Sequence, residues 1–157
     1  MPIPEFITDL RAKIGNDPLW LSGVSAVVMD DDQRLLLTRR KDNGLWAVVS
    51  GVLEPGEEPG PAALREIAEE TGVSAELVRL TSVDVTEPIV YPNGDRTQYV
   101  DICFLAHYLA GDAQVADDEN LDVAWFSRSE LPDDMTDTSR LRIEKALDHG
   151  PEAWFSR

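Results

Sequence analysis

Basic residues are scarce in this chain of 157 residues: 14 Lys and Arg stand against 30 Asp and Glu, a formal net charge of −16 at pH 7. A nucleic-acid backbone is held by Lys and Arg in number, so this balance argues against a sequence-independent DNA or RNA binder, and no nucleic acid polymer is expected among the partners. Cysteine is limited to Cys103, which rules out an internal disulfide and fits a cytoplasmic, reducing location. No apolar run approaches the roughly 18 residues that read as a membrane span, so no membrane is expected either. The first residues, Met1-Pro2-Ile3-Pro4-Glu5, lack the basic and apolar segments of a secretory signal. Internal repeats, low-complexity tracts and Ser/Gly linkers are also missing. The length suits a single domain over 1–157 with a core of its own.

What is present is patterned. Ile3, Phe6, Ile7, Leu10 and Ile14 recur at helical spacing ahead of Gly15-Asn16, giving an N-terminal helix over about 3–15. The valine-rich run 24–29 reads as a buried strand, Asp30-Asp31-Asp32-Gln33 as a turn, and 34–39 as the next strand. A short strand follows over 45–49. The stretch 57–61, dense in Pro and Gly, leads to a helix over 62–71 with Gly72 at its exit. Strand-like stretches over 77–86 and 97–109 flank Pro92-Asn93-Gly94-Asp95, whose Asn-Gly is a hairpin signal. A strand over 123–127 and a helix over 139–148 complete the pattern. Strands outnumber helices without alternating regularly, which points to an α+β layered domain with a mixed sheet.

The helix over 62–71 carries the chemistry. At about 100° per residue, Glu66, Glu69 and Glu70 share an arc of roughly 100°, with Leu64, Ile67 and Ala68 on the opposite side. One face is thus expected to meet the core and the other to concentrate negative charge. Arg65 lies four residues before Glu69 and is placed to hold that carboxylate. On an exposed surface such like-charge neighbours cost only a few tenths of a kcal/mol, and a solvated acidic face is common. In a cleft of effective dielectric near 20, a pair about 6 Å apart costs roughly 3 kcal/mol and needs a compensating cation. Hard oxygen donors with no His or Cys beside them point to Mg²⁺ or Mn²⁺. The helix alone leaves both readings open.

The preceding loop decides between them. Gly51, five residues, Glu57, seven residues and then Arg65-Glu66-Ile67-Ala68-Glu69-Glu70-Thr71-Gly72-Val73 reproduce the pattern G-x5-E-x7-R-E-U-x-E-E-x-G-U, with U a bulky aliphatic. On these residues the chain resembles the Nudix hydrolases. Weaker likeness runs through Leu45-Trp46 before the box and Trp125-Phe126 and Glu130-Leu131-Pro132 after it. The resemblance implies a Nudix-type α/β/α sandwich with a mixed sheet between helices. It also implies hydrolysis of the diphosphate linkage of a small nucleotide substrate by water and a divalent cation. ADP-ribose, a dinucleoside polyphosphate and a nucleoside triphosphate are all substrates of the implied type.

Carried over position by position, the resemblance makes Glu66, Glu69 and Glu70 the metal ligands, with the backbone carbonyl of Ser50. It gives Arg65 the task of orienting a glutamate and Glu57 that of anchoring the loop against the helix. The general base in relatives is either a glutamate of the box or one from a downstream loop. Here these are Glu66 and, within Asp117-Asp118-Glu119, Glu119. A non-catalytic nucleotide-sensing module on the same fold is the alternative; loss of box glutamates would favour it, and none is lost. One departure from the pattern is Val49-Ser50-Gly51, where relatives commonly have Pro-Gly-Gly, which alters backbone freedom at the Ser50 carbonyl. Another is the proline content of the box (Pro55, Pro59, Pro61), which stiffens the loop.

Substrate clues are fewer. Arg39-Arg40-Lys41 is a rare basic cluster at a strand end, expected either to contact the outer phosphates or to be ordinary surface charge. Trp20 either stacks on a base or sits at a core or hairpin edge; Trp46 and Trp125 belong to apolar strands and are expected in the core. Pro88 lies 15 positions beyond Val73 and Tyr91 lies 18 beyond it. The first resembles a marker of ADP-ribose hydrolases and the second one of dinucleoside polyphosphate hydrolases, so together they decide nothing. The N-terminal helix packs on its own domain or on a second subunit, leaving monomer and homodimer both open. Nine of the sixteen excess negative charges fall in 54–70 and 117–122, the segments assigned to metal and water.

Overall fold

A computed structural model describes residues 3–156. In chain order the elements are α1 (Glu5–Ile14), β1 (Leu19–Met29), β2 (Leu35–Arg40), β3 (Trp46–Ala47), β4 (Val49–Val52), α2 (Pro59–Thr71), β5 (Ser74–Val85), β6 (Ile89–Val90), β7 (Arg96–Ala110), β8 (Asn120–Phe126) and α3 (Asp137–Asp148). The valine-rich run becomes the central strand. β1 pairs in parallel with β7 from Leu19↔Thr97 to Met29↔His107, while its other edge meets β4 and then β2, both antiparallel. β2 extends the sheet to β3 and β8, and β7 extends it to β5 and β6, all antiparallel. One parallel pair among antiparallel ones makes the sheet mixed, as the irregular element order implied.

Both faces of this sheet are covered, which is why β1 reads as a continuous apolar run and not as an alternation. Ala26 and Val28 pack with Ile67 of α2; the intervening Val27 packs with Ile143 and Ala146 of α3. Successive side chains of a strand point to opposite faces, so each helix claims one set. Trp46 lies in the α3-side core and Cys103 is fully buried there. Trp125 is only partly buried, edge-on to Tyr108.

The element boundaries differ from the sequence reading in instructive places. α2 begins at Pro59 instead of 62, because prolines at its start occupy positions whose N–H would lack a partner anyway. The Asn-Gly turn joins β7 to the two-residue β6, with Gly94 at φ 88°, while the longer pairing of β7 is with β5. The stripe of α1 is largely unburied: Ile7 is covered, whereas Ile3 and Leu10 are exposed. No helix of the described residues is long and apolar enough to cross a membrane.

Candidate active site

The acidic face of α2 is not where the helical wheel placed it. Glu66 and Glu70 are 2% and 6% exposed and share the buried side with Ala62, Ala63 and Ile67, whereas Ala68 faces solvent. The small alanines let this side approach the sheet, and a glycine completes the space. A Cβ at Gly51 of β4 would lie 2.0 Å from Glu66 Oε1. Only Glu69 of the three stays at the surface, with 45% of its side chain exposed.

Arg65 ties this cluster together. Its Nε and Nη2 donate to Glu57 Oε1 and Oε2 at 2.7 and 2.9 Å. Its Nη1 donates to Glu66 Oε1 at 2.8 Å and to Glu69 Oε2 at 3.1 Å. One planar guanidinium therefore binds three carboxylates, which a point charge such as Lys cannot do. The hydrogen bond from Arg65 holds the Glu57 carboxyl below the usual range. Glu57 Oε2 also accepts the Glu54 N–H at 3.2 Å, fixing the loop.

The buried pair is under electrostatic load. Burial pushes the Glu66 carboxyl up to about 7, against the pull of Arg65. Burial, followed by repulsion from Glu66, pushes Glu70 up to about 8. A main-chain hydrogen bond from Ser50 and the Asn120 amide oppose that rise. Asn120 Nδ2 lies 3.2 Å from Glu70 Oε2 and 3.2 Å from Asp117 Oδ1, linking α2 to the acidic loop. Sequence reading missed Asn120; its one signal was an amide directly after three acids.

Hard, buried oxygen donors short of positive charge are the chemistry of a divalent-cation site, and the Gly51 cradle confirms that the fold makes room for them. Glu66, Glu69, Glu70 and Ser50 could hold such an ion. Among the described residues no three carboxylate, imidazole or thiol groups already converge as a cage. Arg65 instead supplies the positive charge to Glu66 and Glu69.

Two adjoining cavities open beside these residues. One of about 400 Å³ is lined by Arg40, Lys41, Ser50, Glu70, Tyr91 and Glu119. The other, of about 880 Å³, shares Arg40, Ser50, Tyr91 and Glu119 and adds Glu66, Tyr99, Asp101 and Arg142. Glu119 is exposed on its loop, where its main-chain oxygen accepts the Lys41 N–H at 2.8 Å. Arg40 is braced on Asp42 through two bonds of 2.9 and 2.8 Å. The remaining substrate candidates lie elsewhere. Arg39 turns to Gly44 O and Asp134, because alternate residues of β2 face opposite ways. Trp20 is 59% exposed on β1, outside both linings. Of the two spacing markers, Tyr91 reaches the cavities and Pro88 does not.

Comparison with known proteins adds a family. The model for the NUDIX domain matches residues 20–147. The chain is 35% identical over 131 residues to a MutT-like protein of Streptomyces ambofaciens, covering 83% of this chain and 79% of that one. It is 32% identical over 114 residues to a putative 8-oxo-dGTP diphosphatase of Bacillus subtilis (strain 168), covering 73% and 71%. The NAD-capped RNA hydrolase NudC of Vibrio atlanticus (strain LGP32) is 30% identical over 109 residues, covering 68% of this chain but 38% of that protein. Among solved structures, the MutT NUDIX hydrolase of Burkholderia pseudomallei superposes with a TM-score of 0.65 at 30% identity, covering 81% of this chain and 98% of that one.

Proposed function

This chain belongs to the Nudix hydrolase family, and we propose that it cleaves the diphosphate linkage of a small nucleotide in a reaction dependent on Mg²⁺ or Mn²⁺. As a member it is a pyrophosphohydrolase, and Nudix hydrolases generally work with a divalent metal. The observation that carries the reading is one cavity in which Glu70, a buried carboxylate crowded by Glu66, sits with Arg40 and Lys41. A cation-seeking group and phosphate-seeking groups in one cleft suit a metal-associated diphosphate.

When bound, the divalent ion neutralises the diphosphate and lowers the pKa of a bound water. Glu66, Glu69, Glu70 and the Ser50 carbonyl are the residues that would hold it. Arg65 orients Glu66 and Glu69, and Glu57 steadies Arg65. Arg40 and Lys41 bind the phosphates. Glu119 or Glu66 takes the proton from the attacking water. A free nucleotide is favoured over a polymer, because a net charge of −16 repels a long polyanion. The lone buried Cys103 suits a reducing compartment, so a cytoplasmic location is part of the same reading.

The test is a hydrolysis panel with Mg²⁺ or Mn²⁺: ADP-ribose, dinucleoside polyphosphates, nucleotide sugars, NADH, normal and oxidised nucleoside triphosphates, and NAD-capped RNA. Release of a nucleoside monophosphate from a free nucleotide is expected. Activity on capped RNA alone would overturn the preference for small substrates, and no turnover of any compound would favour a nucleotide sensor.

A further inference from the structure

The larger cavity contains a charged pair that the reaction above does not use. Asp101 lies in β7 between Val100 and Ile102 and is 4% exposed. Its Oδ2 accepts a hydrogen bond from Ser25 Oγ at 2.7 Å and pairs with Arg142 Nε, from α3, at 3.0 Å. The parallel register sets Gly23 of β1 beside Asp101. With no side chain at 23, the cavity reaches Asp101 Oδ1: a Cβ there would stand 3.6 Å from that oxygen and 3.5 Å from the Tyr99 ring. Gly23, Tyr99, Asp101 and Arg142 all line the cavity.

A purely structural Arg–Asp tie favours the two-point fork, with two N–H groups on two oxygens. Here the contact uses Nε and Oδ2 only. Among the described residues, no hydrogen bond takes up Nη1 or Nη2 of Arg142, nor Oδ1 of Asp101. Two adjacent donors and one acceptor are thus left over at a cavity wall. At that wall a matching ligand edge can take these leftover atoms up as charge-assisted hydrogen bonds.

We propose that Arg142 and Asp101 are the specificity-determining pair for the base of the nucleotide, selecting bases that present a carbonyl oxygen beside a ring N–H. The inference rests on the site being a nucleotide pyrophosphohydrolase. A carbonyl oxygen has two lone pairs and satisfies both Nη groups, and Asp101 Oδ1 accepts the neighbouring N–H. Guanine and uracil carry this face. Adenine and cytosine offer a ring nitrogen with a single lone pair beside an amino group, so one Arg142 donor stays unmet. Sites built around such polar groups reject ligands that leave them unpaired more strongly than apolar pockets do.

The test compares substrates that differ only in the base. Guanosine and adenosine versions of triphosphates, nucleotide sugars and dinucleoside polyphosphates are assayed for kcat and KM with Mg²⁺. The wild type is expected to favour the guanosine member by about tenfold or more in kcat/KM. Arg142→Lys keeps the charge near Asp101 but loses the fork, and it should erase the preference through KM while kcat changes little. Asp101→Asn, whose amide both donates and accepts, should relax it as well. Melting temperatures check that each variant is folded, and Arg142→Met gives a second loss of the donors. A purely structural tie predicts the same fractional loss for every base, and that result, or a wild-type preference for adenosine, overturns the proposal. Calorimetric titration with GDP and ADP needs no turnover. Equal binding of the two overturns the base-reading pair, whereas a GDP preference without hydrolysis of any substrate overturns the pyrophosphohydrolase reading instead.

Discussion

Arg65 grips Glu57 at two points, Nε to Oε1 at 2.7 Å and Nη2 to Oε2 at 2.9 Å, across eight residues of sequence. Beyond this fork, Nη1 serves Glu66 and Glu69. Lysine carries the charge but has no planar fork, so Arg65→Lys should free the loop and let both glutamates drift. The expected outcome is a roughly 10–100-fold loss in kcat/KM, the usual cost of removing a group that orients metal ligands. Glu57→Gln, which weakens the same fork from the other side, should fall in the same direction. Steady-state kinetics, with circular dichroism to confirm folding, decide it.

The Gly51–Glu66 contact predicts a sharper effect. A Cβ at 51 would lie 2.0 Å from Glu66 Oε1 and 2.1 Å from its Cδ, so Gly51→Ala must expel the carboxylate from its place. Alanine otherwise suits a strand better than glycine does, so backbone entropy gives no reason for a loss. Turnover should collapse, and binding of Mn²⁺, followed by electron paramagnetic resonance, should weaken with it. Unchanged Mn²⁺ affinity in the folded variant would remove Glu66 from the ligand set.

The buried glutamates also set a pH dependence of stability. Their folded-state values of about 7 and about 8 lie above the ordinary glutamate value of 4.5. Between those limits the folded chain binds more protons than the unfolded one, so stability falls as pH rises. In EDTA the melting temperature should therefore drop from pH 5 to pH 8. A divalent ion binds the deprotonated folded site, so its stabilisation should grow over the same range. Calorimetric scans at pH 5.5 and 8, with EDTA or Mg²⁺, test the sign. A melting temperature in EDTA that rises with pH would contradict the burial described for Glu66 and Glu70.

Much of this arrangement was legible in the sequence because it is local. The spacing from Gly51 to Val73 carried the family, and the valine run of β1 announced a strand covered on both faces. The helical wheel failed on the acidic face of α2, for it set the carboxylates apart from the core side by polarity alone, whereas Glu66 and Glu70 share the buried side with Ile67. Ala62, Ala63 and Gly51 made room for Glu66 and Glu70 beneath the helix, which is a tertiary effect. Arg39 and Arg40 could not be separated in sequence, since only the side of β2 facing the cavity decides between them. Asn120, Asp101 and Arg142 enter the site through pairings 41 to 76 residues distant in chain terms, Asp101 to Arg142 and Ser25 to Asp101 marking that spread. An acid inside the apolar stretch Val100-Asp101-Ile102 was the one local sign that such a partner existed.

Glu70→Gln separates function from stability. The amide keeps the shape of the carboxylate but removes a charge that burial and Glu66 both oppose. Turnover should be largely lost. At pH 8 in EDTA the variant should nevertheless melt at a higher temperature than the wild type, because it no longer buries that anion. Sites arranged for function often show this exchange. A variant that loses both activity and stability at pH 8 would mean that Glu70 is chiefly a structural acceptor for Asn120.

Of the two candidates for general base, we propose Glu119, on its position in the cavities. Glu66 is committed to Arg65 at 2.8 Å and is a proposed metal ligand, so its lone pairs are largely spoken for. Glu119 stands exposed on the loop after Asp117 and lines both cavities. Its charge is also near enough to raise the Glu66 carboxyl. With Glu119 as base, Glu119→Gln should lower kcat by about 10²–10⁴-fold. KM and the Mg²⁺-induced rise in melting temperature should stay near wild type. Glu66→Gln should lose turnover and the Mg²⁺ effect together, since it removes a ligand. A Glu119→Gln enzyme within a few-fold of wild type would transfer the role to Glu66, and the acid limb of its pH–rate profile would then move to lower pH, because the charge that raises the Glu66 carboxyl is gone.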